Sequence, residues 1–207
     1  MQEKYFSAHV IKMTNLPIDV DLIKKEINEF LNPPIIENKI LFRRLQLVDN
    51  LKDNGWQDPL GGYEHDNRIS DDNPQTSFCT HSYKECRDRN FLNPDCLCGL
   101  KWNKPAFNEM KYTNKILNIL EAKKSAVSII PPLTIIPLHK DPLWKLHIPL
   151  EADEDTFFMV GETKKEINSY SLDCDGGYYY IDVRKYHGVC NMSNNPRMHI
   201  IADVDKP

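Results

Sequence analysis

At 207 residues the chain is long enough to bury a core without cross-links, and its size suits a single domain over 1–207. A net charge of −4 excludes a strongly basic nucleic-acid binder and is too mild for an acidic disordered chain. Hydrophobic residues make up 41%, yet the longest nearly apolar run, Ala126–Leu138, contains Pro131, Pro132 and Pro137 and falls short of the ~20 residues that span a bilayer, so neither a nucleic-acid nor a membrane partner is expected.

The start, Met1-Gln2-Glu3-Lys4, has no basic n-region and no apolar h-region. With 6 cysteines, the chain reads as a cytoplasmic protein with reduced thiols. Residues 1–125 read as a helical and irregular scaffold that carries the substrate side. Ile23, Ile27, Phe30 and Leu31 form one apolar stripe, which predicts a helix over 20–31, capped by Asp19 or Asp21 and stopped by Asn32-Pro33-Pro34. Ile40–Val48 is rich in branched residues and predicts a strand.

Residues 50–105 carry turn punctuation (Asn54-Gly55, Gly61-Gly62, Asn73-Pro74, Asn93-Pro94) and little periodicity. Long irregular segments on rigid scaffolds tend to carry recognition, so this one is expected beside the barrel mouth, with Trp56, His65, Arg68 and Arg89 as candidate substrate contacts. Cys79, Cys86, Cys96 and Cys98, with His81 nearby, admit three readings: a structural zinc site, a disulfide pair or plain thiols. Tyr112, Ile116, Ile119 and Leu120 predict a second helix over about 108–124, with Lys123-Lys124 as its solvated end.

From Ala126 the texture changes. Short apolar or alternating runs recur at 126–130, 133–139, 145–150, 156–161, 167–173, 177–183, 187–192 and 197–204. Short strands at close spacing imply a β-sandwich or barrel over 126–207, mainly β with flanking helices. Asp175-Gly176-Gly177 reads as a hairpin turn, and Tyr178, Tyr179 and Tyr180 as a strand with one face in the core. Asn191 and Ser193 admit two readings, a contact to a bound ligand or, the one favoured, the turn before Arg197.

One constellation carries chemistry. Residues i and i+2 of a strand share a face, so His139 and Asp141 aim an imidazole and a carboxylate at one point. His187 completes a 2-His-1-carboxylate set, which leaves three positions open on octahedral ferrous iron for a chelating co-substrate and dioxygen. Arg197 follows, and its planar fork matches the far carboxylate of a dicarboxylic co-substrate. Read singly, His139-Lys140-Asp141 is a chance pattern at a strand end and Arg197 a surface charge. The ordered set is far less frequent by chance than any one member.

The strings His139-Lys140-Asp141-Pro142, Lys145-Leu146-His147-Ile148-Pro149-Leu150, Tyr180-Ile181-Asp182, Tyr186-His187-Gly188-Val189-Cys190-Asn191-Met192-Ser193 and Arg197-Met198-His199-Ile200 carry a family resemblance. Segment 126–205 resembles the aspartyl/asparaginyl β-hydroxylase-like group of Fe(II)- and 2-oxoglutarate-dependent dioxygenases, which takes in the bacterial proline hydroxylases. The resemblance implies a double-stranded β-helix (a jelly roll, cupin-like) with iron at its open end. It implies His139, Asp141 and His187 as iron ligands and Arg197 as the group binding the 5-carboxylate of 2-oxoglutarate. Lys145 stands where many relatives carry arginine, keeping the charge but losing the bidentate fork. His147 is either a polar wall of the pocket or a buried strand histidine satisfied by backbone. The activity implied is hydroxylation, with Fe(II), 2-oxoglutarate and O2, of an amino acid, free or within a peptide.

Two rivals stand beside this. One is a metal-binding cupin-type barrel that does not use 2-oxoglutarate, against which Arg197 argues. The other is a non-catalytic interaction module whose cysteine-rich segment binds zinc and a partner protein.

Overall fold

The computed structural model describes residues 3–30, 43–46, 107–141 and 143–204. The cysteine cluster, the 50–105 segment with Trp56, His65, Arg68 and Arg89, and the Asn32-Pro33-Pro34 stop lie outside the described residues. Strands β1 (Glu3–Ser7) and β2 (Val10–Met13) lead into helix α1 (Val20–Phe30). Strand β3 (Arg43–Gln46) and helix α2 (Lys111–Ile119) precede a series of strands: β4 (Lys123–Ile130), β5 (Thr134–His139), β6 (Trp144–Glu151), β7 (Thr156–Thr163), β8 (Glu166–Tyr170), β9 (Tyr178–Ile181), β10 (Tyr186–Asn191) and β11 (Arg197–Val204).

Two sheets form, in the orders β1-β2-β9-β6-β11-β4-β3 and β5-β10-β7-β8. Strand β4 pairs with β11, β5 with β10, β6 with β9 and β7 with β8, all antiparallel. The pairing is nested, outermost with outermost and inward to the β7–β8 hairpin. Strands β4 to β11 are thus one long hairpin rolled into two facing sheets. That is the double-stranded β-helix, or jelly roll, here mainly β with flanking helices.

Strand alternation sorts the side chains. On β6, Leu146, Ile148 and Leu150 pack against the helices, as do Ile200, Ala202 and Val204 on β11. Ile23 and Ile27 of α1 and Ile116 and Leu117 of α2 supply the other half of that core. Lys145, His147, Arg197 and Ile201, at the alternate positions, face the barrel interior. The larger sheet is therefore buried on both sides. The tyrosine strand shows the consequence: Tyr178 lies in the helix-side core and Tyr179 in the interior core, so both faces are buried where one was expected.

The helices are tied by side-chain caps. Asp19 Oδ1 accepts from the Leu22 N–H at 2.9 Å and starts α1. Met110, at the corresponding place before α2, has no side-chain acceptor. Glu26 of α1 substitutes for it: its carboxylate accepts from the backbone N–H groups of Tyr112 and Thr113, both at 2.9 Å, and from Thr113 Oγ1 at 2.7 Å. Helix α2 stops at Ile119, short of the expected 124. Glu121 takes a left-handed φ of 50°, the Glu121 N–H donates to the Asn118 carbonyl and the Ala122 N–H to that of Leu117. Lys123 accordingly opens β4 and is not a solvated helix end.

Asp175-Gly176-Gly177 is likewise not a hairpin turn. Strands β8 and β9 lie in different sheets, so this segment crosses between them. Gly176 has φ 83°, and a Cβ there would meet the Ile18 carbonyl oxygen at 2.6 Å. The Lys12 ammonium of β2 clamps the crossing through Asp173 (2.8 Å) and Asp175 (2.6 Å).

Candidate metal centre

The two histidines meet because β5 and β10 pair in a register that sets His187 opposite His139. Both face the interior, with ring centroids 4.1 Å apart and planes tilted by 51°. The register shifts between His187 and Val189, where Pro137 and Leu138 bulge from β5 opposite the single residue Gly188 of β10. A Cβ on Gly188 would lie 2.7 Å from the Ile136 carbonyl oxygen of β5, so only glycine lets the strands close at this point.

The hydrogen bonds set the tautomers. His139 Nδ1 lies 2.7 Å from the Pro137 carbonyl and His187 Nδ1 3.2 Å from that of Lys185. A carbonyl only accepts, so each Nδ1 carries the proton and donates. Each Nε2 is left with its lone pair, the form in which imidazole ligates a metal. Burial, with the neighbouring His139 adding to it, pulls His187 down to about 4, so it is neutral at ordinary pH. Phe158 stacks on His187, with ring centroids 5.9 Å apart.

Asp141 follows the end of β5, and its backbone N–H donates to the Val183 carbonyl at 2.9 Å. The ligand atoms of His139, Asp141 and His187 all lie within 4.8 Å of one another. Two imidazole nitrogens and one carboxylate, with net charge −1 when the rings are neutral, are a donor set suited to a divalent transition metal. The residues present therefore fit such an ion.

Lys145 Nζ lies 3.5 Å from Asp141 Oδ2 and makes a close ion pair with Asp203 of β11. Its ammonium is thus bound to carboxylates on both sides. Arg197 is 3% exposed at the start of β11, and Nη2 donates to His199 Nδ1 at 2.7 Å. No carboxylate among the described residues pairs with the guanidinium, which burial pushes down to about 9, still protonated at neutral pH. His147 is buried, its Nδ1 has no hydrogen-bond partner among the described residues, and burial together with the Arg197 charge holds it well below its ordinary value.

All six side chains singled out from the sequence, His139, Asp141, His187, Lys145, His147 and Arg197, line one cavity of about 110 Å³ that opens to solvent. Ser128 of β4 lines it too, opposite His199 in register. Asn191 and Ser193 are outside it. Asn191 Nδ2 donates to the carbonyls of Ile130, Pro131 and Asn195 and builds the turn into β11. Three residues were passed over in the sequence: Ser128, His199 and Asp203. His199 had a signal, two positions beyond Arg197 on the same face. The other two depend on strand register.

A jelly roll with two histidines on paired strands and an aspartate just beyond one of them is a cupin-type barrel with a candidate metal site. Residues 75–207 match the sequence profile of aspartyl/asparaginyl beta-hydroxylase, and the chain belongs to that family. No curated protein matches it. Among solved structures it is similar to a 2OG-Fe(II) oxygenase family oxidoreductase from Burkholderia pseudomallei, at 15% identity and TM-score 0.36, over 40% of this chain and 43% of that one. It is similar to oxalate decarboxylase from Bacillus subtilis, at 18% identity and TM-score 0.33, over 39% of this chain and 21% of that one. A cupin domain from Bordetella pertussis matches at 16% identity and TM-score 0.32, over 40% of this chain and 81% of that one. The chain thus spans less than half the length of the first two. No described helix is long and apolar enough to cross a membrane.

Proposed function

We propose that the chain is an Fe(II)- and 2-oxoglutarate-dependent dioxygenase that hydroxylates an unactivated C–H of an amino acid, free or within a peptide. The observation that carries this is a pairing within one cavity: a His-Asp-His cluster at one place and, at another, a buried guanidinium with no carboxylate partner among the described residues. A buried charge is costly unless paired. A ligand with a 2-oxo acid head and a distal carboxylate answers both needs at once.

His139, Asp141 and His187 would hold the metal from one side. Iron(II), when bound there, would supply the redox chemistry that couples decarboxylation of the 2-oxo acid to hydroxylation by dioxygen. Arg197 binds the distal carboxylate and fixes the co-substrate's orientation. Ile130, Phe158 and Val189 give the cavity apolar walls that exclude water. Lys145, held by Asp141 and Asp203, orients the carboxylate ligand.

A cupin-type barrel without 2-oxoglutarate has no use for the buried Arg197. The test is succinate formation by the reconstituted protein, with Fe(II), 2-oxoglutarate and O2, across a panel of free amino acids and aspartyl, asparaginyl and prolyl peptides. Succinate that depends on iron and rises with one class of substrate is the expected result. Failure to bind 2-oxoglutarate when the metal is present would sink the proposal.

A further inference from the structure

Behind Arg197 of the cavity lining lies a group that the proposed chemistry has not used. His199 of β11 is fully buried, and its ring meets that of His147 on β6 edge-on at 5.8 Å. Arginine is a donor only, so the 2.7 Å contact from Arg197 Nη2 requires a lone pair on His199 Nδ1. His199 is therefore neutral, with its proton on Nε2, and that Nε2 has no partner among the described residues. Burial, the Arg197 charge and His147 all push in the same direction, holding His199 well below its ordinary value.

Neutrality here has a geometric use. A guanidinium is a rigid planar fork, so anchoring one Nη2 hydrogen fixes the plane of the whole group. The anchor is also local. Arg197 and His199 sit two apart on one face of one strand, so their bond does not depend on any loop. Pro149, the register neighbour of His199 on β6, offers no side-chain acceptor in its place.

We propose that His199 is the positioning residue of the anion subsite: it accepts from Arg197 and so presents the remaining guanidinium N–H groups to the distal carboxylate of a dicarboxylic 2-oxo acid. This deepens the function proposed above and rests on it. A residue there only to fill space needs volume alone. The positioning role needs a lone pair at the δ position, which asparagine can supply and leucine cannot.

The experiment is calorimetric titration of the zinc-loaded protein with 2-oxoglutarate and with pyruvate, which shares the 2-oxo acid head but lacks the distal carboxylate. In His199→Leu, 2-oxoglutarate affinity should fall about tenfold or more, the loss expected for a hydrogen bond to a charged group. Pyruvate affinity and zinc content should stay within about threefold, and His199→Asn should recover most of the 2-oxoglutarate affinity. Nitrogen-15 NMR of the zinc-loaded parent gives a readout that needs neither a folded leucine variant nor turnover: His199 should be protonated on Nε2 only, and that signature should change in Arg197→Met.

Equal losses for both ligands, an asparagine variant no better than leucine, or a proton on Nδ1 in the parent would overturn the role. A parent that binds 2-oxoglutarate no tighter than pyruvate overturns the dicarboxylate reading and this role with it. A parent that discriminates, with a His199→Leu variant that discriminates equally, overturns the role alone.

Discussion

Arg197 is a cation held away from water, and its worth lies in what it leaves unpaired when removed. Truncating one partner of a buried charge pair costs ~2–5 kcal/mol, largely through the desolvated charge left behind. Arg197→Ala should weaken 2-oxoglutarate affinity by roughly 30-fold to several thousand-fold. Arg197→Lys should be milder, since charge survives and the fork does not. Metal content should hardly change in either, because Arg197 is not in the His-Asp-His cluster. His187→Ala should reverse the order, losing metal first and co-substrate only as a result. Calorimetry and metal analysis on the three variants check both statements, and unchanged 2-oxoglutarate affinity in Arg197→Ala would make Arg197 a structural charge. At this scale the sequence was legible where chemistry needs residue types in a fixed order along the chain. His139, Asp141 and His187 stand out for that reason. Asp203 does not, because its meeting with Lys145 follows from the pairing of β11 with β6. The register of that pairing shifts between Met198 and His199, which no linear pattern announces.

Elements carry two further expectations. A Cβ at Gly188 would sit 2.7 Å from the backbone oxygen of Ile136, and backbone cannot swing aside as a side chain can. Gly188→Ala should part β5 from β10 beside both histidines, costing ~1–3 kcal/mol of stability and lowering metal affinity, read by thermal denaturation and metal titration. Normal metal binding would show that the bulge is not what sets the histidine geometry. At the helix pair, Glu26→Ala strands two backbone N–H groups and the Thr113 hydroxyl. A loss of ~2–3 kcal/mol is expected, smaller for Glu26→Gln, which keeps one acceptor. Urea denaturation separates the two, and a glutamine variant as weak as alanine would mean that charge rather than acceptance is what α2 needs. The strands from β4 to β11 were legible because half-buried ribbons alternate and are punctuated by turns. Strand β2 was not: Lys12 is buried in it, made tolerable by Asp173 and Asp175, so its apolar period is broken. The end of α2 was missed for a different reason. The left-handed turn falls on Glu121, where glycine would have marked it.

For the whole molecule, acid should be the weak side. His187 titrates at about 4 in the folded chain against an ordinary 6.5. Above 6.5 it is neutral folded or unfolded. Between 6.5 and 4 the unfolded chain takes up the proton and the folded one does not, so stability falls as pH falls through that interval. For His187 alone this amounts to about 3 kcal/mol, and His147 and His199 push the same way. Urea midpoints of the metal-free protein at pH 7, 5.5 and 4.5 should descend steadily, and a flat series would mean that these rings keep their protons when folded. The nested strand pairing also has a bearing on how the chain reaches this state. Only β7 and β8 are joined by a tight turn, and every later pair brings together segments farther apart in sequence. Contacts of such separation are slow to form, on the order of milliseconds to seconds. The last strand to emerge, β11, is also the one that fills the gap between β4 and β6. Until it arrives the larger sheet is two pieces with raw edges. A nascent chain would have to shield those edges until β11 is supplied, and any delay in supplying it should appear as aggregation rather than as a stable half-barrel.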